Sequence, residues 1–383
     1  MSQQNPATLK VGAIGGGQLA RMMTVPAINL AIDFKVLAES EGSSAALAAT
    51  QIGDYNKLEV VAEFAKTVDV ITFDHEHVPM AVLEPLEAAG VNVQPPSKAL
   101  AFAQNKLHMR QKLGALGLPM PDWAQIEDAQ TLDAFINAHG GVAILKTPIG
   151  GYDGKGVRVV KSSADATDWL ANLAAFGGSL LAEEKVDFVR ELAQLSARRP
   201  SGEFAAWPLV QTIQENGVCS VVLAPAPNAS EALLEQTAQI AKSVAEGLGV
   251  TGVLAVELFE ARDGRILINE LAMRPHNSGH FTIEGSVTSQ FEQHLRAVLD
   301  MPLGSTDMRA AHAVMVNLLG VDDKNNFVQA YAAALAAHPT VKIHTYGKGA
   351  RAGRKMGHIT VVGDSADAIL SEAKGAAAVL LRG

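Results

Sequence analysis

Two glutamates near residue 260 are spaced to share a cation. The runs Gly252-Val-Leu-Ala-Val-Glu257-Leu-Phe-Glu260 and Arg265-Ile-Leu-Ile-Asn269-Glu270 read as strands flanking Asp263-Gly264. Asp-Gly favours a two-residue type I′ hairpin, which sets residue 262 against 265 and hence Glu257 against Glu270. Carboxylates roughly 5 Å apart on one sheet face repel. A hard cation such as Mg²⁺, bridging nucleotide phosphates, relieves that repulsion; a solvent-exposed pair on a surface hairpin is the alternative.

Directly after Glu270 comes Leu271-Ala-Met-Arg274-Pro-His276-Asn277-Ser278-Gly279-His280. Arg274 can neutralise a second anion and His276 or Asn277 can orient it. The imidazoles are not needed as metal ligands, because the glutamates already offer hard oxygen donors. Lys146 supplies a point charge for phosphates at the end of a strand, and the loop 148–156 follows it. That loop is no Walker loop, since Lys155 is followed by Gly156 and by no Ser or Thr; its glycine amides suit a lid over terminal phosphates. Glu183-Glu184-Lys185-Val186 can present an edge backbone to a purine, and Glu191 can accept from ribose hydroxyls.

Gly15, Gly17 and Ala20 give G-x-G-x-x-A, with Glu39 closing the next strand. The spacing admits a phosphate monoester at a helix N-terminus, a dinucleotide, or a plain tight turn. Near the end, Lys348 and Arg354 lie in a glycine-rich basic stretch able to clamp a phosphate.

The elements that must hold these groups follow from periodicity. A strand over 9–15, a tight turn and a helix over 18–30 make a βα opening. Strands at 34–38 and 68–73 alternate with helices at 56–66 and 80–89, predicting an open parallel sheet that ends near Pro95-Pro96. One helix is expected over 100–116. Strands at 141–147, 156–161 and 180–186, with a helix at 164–176, predict a small α+β unit. The remainder reads as a mainly antiparallel sheet, with strands at 188–198, 205–213, 218–224, 252–259, 265–270, 311–318, 341–344 and 357–362. Helices are expected at 231–248, 289–299 and 326–336. The fold class is therefore α/β and α+β, in segments 1–99, 100–184 and 185–383.

A chain of 383 residues with 48% hydrophobic content exceeds one core and calls for two or three domains. The net charge of -9 argues against a nucleic-acid partner. The single Cys219 excludes an intrachain disulfide framework. Neither a signal-like start nor an apolar stretch of membrane-spanning length is present, so a cytoplasmic protein is expected.

Taken together, Gly15-Gly-Gly-Gln18-Leu19-Ala-Arg21-Met, Gly150-Gly-Tyr152-Asp153-Gly-Lys155-Gly, Phe188-Val-Arg-Glu191-Leu, Asn269 to His280 and Gly353-Arg354-Lys355-Met-Gly-His358 closely resemble the N5-carboxyaminoimidazole ribonucleotide synthetases, an ATP-grasp family. The resemblance spans almost the whole chain. It implies a three-domain ATP-grasp fold with an N-terminal open parallel sheet. The implied reaction is carboxylation of 5-aminoimidazole ribonucleotide by ATP and bicarbonate, releasing ADP and phosphate, in purine biosynthesis. Mg²⁺ is implied as cofactor, with Mn²⁺ as substitute, in a homodimer without nucleic-acid or membrane partners.

Residue by residue, the resemblance assigns ATP to Lys106, Lys146, Gly151, Tyr152, Asp153, Gly154, Lys155, Gly156, Val157, Glu183, Glu184, Lys185, Val186, Glu191, Gln214, Asn269 and Glu270. It assigns the metal to Glu257 and Glu270. The ribonucleotide falls to Gly17, Gln18, Leu19, Tyr152, Asp153, Arg274, Lys348 and Arg354, and the chemistry to Arg274, His276, Asn277 and Asp153. Two departures stand out. Gln214 replaces a common His near the nucleotide, and Asp74-His75-Glu76-His77 replaces a common Glu-Phe-Glu-Asn. A different ATP-dependent carboxylate-amine ligase, or a regulatory nucleotide-binding protein, would keep the same lid and glutamates.

Overall fold

The computed structural model describes residues 8–150, 156–215, 217–321 and 327–382. Among the described residues the strands form three sheets, one within each expected segment. In the first, β1 (Lys10–Ile14), β2 (Asp33–Ala38), β3 (Ala49–Ile52) and β4 (Val70–Phe73) run parallel in the order β3-β2-β1-β4. β4 is buried along its whole length, which is why it reads as an apolar run interrupted only by Thr72. The order of strand addition reverses beside β1, so Gly15 to Gly17 open onto the crevice at its carboxyl end.

The second sheet is antiparallel, with β5 (Trp123–Ile126), β6 (Ala143–Lys146), β7 (Val157–Val160) and β8 (Leu180–Glu184) in the order β5-β8-β6-β7. β5 and the helix Ala129–Ala138 that covers this sheet were not expected from patterning. The single helix expected over 164–176 is instead three short turns, Ser163–Ala166, Thr167–Leu170 and Leu173–Phe176. The reciprocal Ser162–Asp165 cap starts the first of them and left-handed Gly177 (φ +82°) ends the last.

The third sheet has nine strands: β9 (Phe188–Arg198), β10 (Phe204–Ala206), β11 (Val210–Glu215), β12 (Val218–Ala224), β13 (Gly252–Ala261), β14 (Ile266–Ala272), β15 (His312–Leu319), β16 (Lys342–Thr345) and β17 (Lys355–Gly363). Their order is β14-β13-β9-β11-β12-β15-β17-β16, with β10 pairing on β9. Helix Ala366–Leu380 packs on β15 and β17, and helix Phe327–Ala337 packs against that helix in the same apolar cluster. Helix Ala366–Leu380 has no counterpart among the expected elements, although Ile369, Ala373, Ala376, Ala377 and Leu380 mark its buried stripe.

The helix expected over 100–116 breaks into Ser97–Gln104 and Lys106–Ala115. Asn105 is extended (φ −134°, ψ 108°) and its side chain accepts from the amides of Leu107 and His108, a cap worth about 1 kcal/mol. This break aims Lys106 and Arg110 at the third sheet. One apolar core joins Phe64 and Ile71 to Leu100 and Leu113 and onward to Val244 and Ile268. His294 also ties the first sheet to the third: the Val253 amide donates to Nδ1 at 3.0 Å, and Nε2 donates to Thr72 Oγ1 at 2.7 Å. Burial pushes this imidazole down to about 3, so it bridges as a neutral group.

Candidate active site

Helix and loop residues of the first segment, with strands of the second and third sheets, line a cleft of about 950 Å³. Its acidic wall is the β13–β14 hairpin, whose turn differs from expectation. Ala261 N–H donates to Arg265 O and Gly264 N–H to Ala261 O, both at 2.9 Å, with Gly264 at φ +90°. This is a three-residue loop closed by a left-handed glycine, and it pairs Glu260 with Ile266 and Leu258 with Ile268. Continued unchanged, that register would set Asn269 opposite Glu257. A bulge at Asn269 absorbs the extra residue, and Glu257 faces Glu270 after all.

Each carboxylate meets a basic group. Lys106 Nζ lies 2.8 Å from Glu270 Oε1, and His276 Nε2 lies 3.2 Å from Glu257 Oε1. Against its burial, the hydrogen bond from His276 holds Glu257 below the usual carboxylate range, helped by the charges of Lys355 and Lys146. Glu191, on the neighbouring β9, is pushed up to about 7 by burial and by the charge of Glu257. This surplus of negative charge, with Asn269 Oδ1 adjacent, makes an all-oxygen donor set suited to a hard divalent cation. Among the described residues no cluster of three or more His, Cys, Asp or Glu is placed to hold a metal ion.

Lys146, 8% exposed, reaches Glu183 Oε2 at 2.6 Å and Asn269 Oδ1 at 3.2 Å. The edge-backbone reading of Glu183 does not hold. β8 is flanked by β5 and β6, Glu183 pairs with both Trp123 and Ile144, and its carboxylate turns to Lys146 and Arg110. Burial works to raise this carboxyl, but Lys146 and Arg110 bring it down to about 2. Glu184 is engaged by Arg265 at 2.9 Å. Lys185 and Val186 lie beyond the strand end and line the cleft, as do Val157, Glu191 and Gln214. The Gly156 carbonyl accepts from Thr147 N–H at 2.9 Å. Gly151, Tyr152, Asp153, Gly154 and Lys155 lie outside the described residues.

The loop after Glu270 divides its polar residues between cleft and interior. Arg274 Nε donates to Glu76 Oε2 at 2.6 Å, and the Met273 amide donates to Glu76 Oε1. Despite burial, the Arg274 charge keeps Glu76 ionised below its usual range. The divergent 74–77 stretch thus carries Arg274's partner. His276 Nδ1 accepts from Ser278, which leaves its Nε2 proton for Glu257. Its backbone is clamped on both sides by the Gln290 amide. Asn277 is committed to a reciprocal amide pair with Asn317, at 3.0 and 2.7 Å. His280 is fully buried against Gln290 and His358, so only one of the two imidazoles expected beside the metal contacts a proposed ligand.

Across the cleft, Gly17 precedes helix Gln18–Asn29. A Cβ at Gly17 would fall 1.9 Å from Asp74 Oδ2, whose partner oxygen accepts from Ala20 N–H at 2.8 Å. Glu39 accepts from Gly16 N–H at 3.0 Å and is held down to about 2, chiefly by His75. This carboxylate braces its own glycine turn, the structural role that competes with ribose binding in a dinucleotide site. Gln18 and Leu19 line the cleft, and Lys348 Nζ donates to Gln18 Oε1. Arg354 donates to Gly349 O at 3.0 Å. Of the basic stretch it is Lys355, next in sequence, that lines the cleft.

Sequence reasoning missed Arg110, Glu76, Asn317 and Lys355. Arg110 carried a usable signal, because it lies one helical turn after Lys106. Asn317 carried none, since its partner is 40 residues away.

Sequence profiles agree in order along the chain: a ribonucleotide synthetase preATP-grasp domain at 8–104, an ATP-grasp domain at 111–291, and a phosphoribosylaminoimidazole carboxylase C-terminal domain at 313–372. N5-carboxyaminoimidazole ribonucleotide synthase of Mycobacterium tuberculosis is 46% identical, over 97% of this chain and 88% of its own. The Synechococcus elongatus synthase is 41% identical over 92% and 89%. A crystal structure of the Aspergillus clavatus enzyme, in complex with ADP and 5-aminoimidazole ribonucleotide, superposes with a TM-score of 0.88 at 34% identity, covering 98% and 99%.

Proposed function

Because the chain belongs to the N5-carboxyaminoimidazole ribonucleotide synthase family, we infer that it uses ATP and bicarbonate to carboxylate 5-aminoimidazole ribonucleotide. The products are N5-carboxyaminoimidazole ribonucleotide, ADP and phosphate. The observation that carries this reading is the facing Glu257–Glu270 pair, set beside Lys146 in a cleft that also holds Arg274.

Bicarbonate is a poor electrophile, so its oxygen first takes the γ-phosphoryl group, giving carboxyphosphate and ADP. The exocyclic amine then attacks the carbon, or the carbon dioxide released from it, phosphate leaves, and the amine loses a proton. Lys146 and Lys106 offset phosphoryl charge. When bound through Glu257 and Glu270, Mg²⁺ neutralises and orients the phosphates. Arg274, steadied by Glu76, faces the anionic intermediate. In the arrangement described, His276 carries its proton on Nε2 and acts as a donor rather than a base. We assign the amine proton to Asp153 on the loop, and the sealing of the site from water to that loop together with Tyr152.

The remaining assignments belong to the same proposal. Gln18, Leu19, Lys348 and Arg354 take the ribonucleotide. Lys185, Val186, Glu191 and Gln214 take the adenosine, and Mn²⁺ substitutes for Mg²⁺. The chain divides functionally at 1–99, 100–184 and 185–383, and acts as a cytoplasmic homodimer without nucleic-acid or membrane partners. No helix among the described residues is long and apolar enough to cross a membrane.

The test is a coupled assay with isotope-labelled bicarbonate, omitting ATP, bicarbonate or 5-aminoimidazole ribonucleotide in turn. Label should enter an acid-labile product only when all three are present. Label-free product, or equal ADP formation with an unrelated acid in place of bicarbonate, would defeat the reading.

A further inference from the structure

We propose that Arg110 is a positioning residue that presets the nucleotide-phosphate site from behind. The proposal rests on the ATP reading above. Arg110 has no exposed surface. A buried guanidinium is costly unless its donors are used, and here they are spent on two structures that border the cleft. Its Nε donates to Glu183 Oε1 at 2.7 Å, while NH1 and NH2 donate to the carbonyls of Ile268 (2.8 Å) and Asn269 (2.7 Å).

These partners close a ring. The other oxygen of Glu183 holds Lys146 Nζ, Lys146 donates to Asn269 Oδ1, and the Asn269 backbone returns to Arg110. Both acceptors that locate the Lys146 ammonium are thus fixed by one guanidinium. The two carbonyls it binds lie at the bulge that brings Glu270 opposite Glu257. The helix Lys106–Ala115 supplies both Lys106 for Glu270 and, one turn on, Arg110 for the strand backbone. A lysine at 110 would keep the charge, but its single ammonium cannot span three acceptors arranged around a planar fork.

The experiment is a double-mutant cycle on the full-length protein. It measures the Kd of the non-hydrolysable analogue AMPPNP with Mg²⁺, and separately that of 5-aminoimidazole ribonucleotide, for wild type, Arg110→Lys, Lys146→Met and the double variant. Arg110→Lys should weaken AMPPNP by at least about tenfold, or about 1.4 kcal/mol, and the ribonucleotide by less than about twofold. In the Lys146→Met background the same change should cost less than about threefold, because the group being positioned is gone. Additive losses, equal losses for both ligands, or no loss overturn the proposal. Should Arg110→Lys fail to fold, Glu183→Gln breaks the same ring at nearly constant volume and decides by the same criteria. Failure of the wild type to bind AMPPNP would instead remove the ATP reading, a result distinguishable from an additive cycle.

Discussion

Replacing Glu183 with glutamine keeps the shape of the side chain and removes the charge that Lys146 and Arg110 share. Burial alone would raise this carboxyl, yet the two cations hold it at about 2, against an ordinary 4.5. At about 1.4 kcal/mol per unit that shift corresponds to about 3 kcal/mol of folding stability, in line with about 3–5 kcal/mol for removing one partner of a buried pair. A depressed folded-state value stabilises fully above the unfolded one, and the stabilisation is lost as pH falls from about 4.5 towards 2. Glu183→Gln should therefore lower stability by about 3 kcal/mol at pH 7, by the same amount at pH 6 and pH 8, and by progressively less below pH 4.5. Urea unfolding followed by tryptophan fluorescence reports it, since Trp123 pairs with Glu183 across β5 and β8. A penalty below about 1 kcal/mol, or one that changes between pH 6 and pH 8, would refute the account of Glu183 as an ionised group locked between two cations.

Glu257→Gln and Glu270→Gln should each raise the Mg²⁺ concentration needed for half-maximal activity and reduce turnover severely while far-UV circular dichroism stays unchanged; normal Mg²⁺ dependence in both would sink the paired-ligand assignment. Glu191 has a raised value, so its ionisation works against the unliganded fold as pH climbs from about 4.5 through 7. Glu191→Gln should accordingly raise the melting temperature of nucleotide-free protein at pH 8, raise it much less at pH 5, and leave it unchanged at pH 4. Gly17→Ala should displace the Asp74 carboxylate, cost about 1–3 kcal/mol in thermal or urea stability, and weaken the ribonucleotide more than ATP in equilibrium binding; full retention of both affinities would mean that the turn does not shape the site.

The sequence by itself determined the order of elements and the chemistry of the acidic wall. β1, β4 and the core strands of the third sheet are apolar runs whose burial on both faces leaves little other reading. Helix Glu231–Leu248 is bounded by a Ser230 cap and left-handed Gly249 (φ +68°), both local signals. Glu257 and Glu270 were paired from the hairpin, but by a turn that does not form: two one-residue departures, a longer loop and a bulge, cancel. That cancellation depends on where the strand backbone can be held, and the holding group, Arg110, is some 158 residues away from Ile268 in the chain. The same reason explains the other revisions. Whether Asn277 faces substrate or Asn317, whether His280 faces metal or His358, and whether Glu183 faces nucleotide or Lys146 are choices among partners of nearly equal local chemistry. Local patterning fixes which residues sit on a strand or loop; only the packing of three sheets around one cleft decides which polar group desolvates its neighbour, and so which side chains are left to meet the ligand.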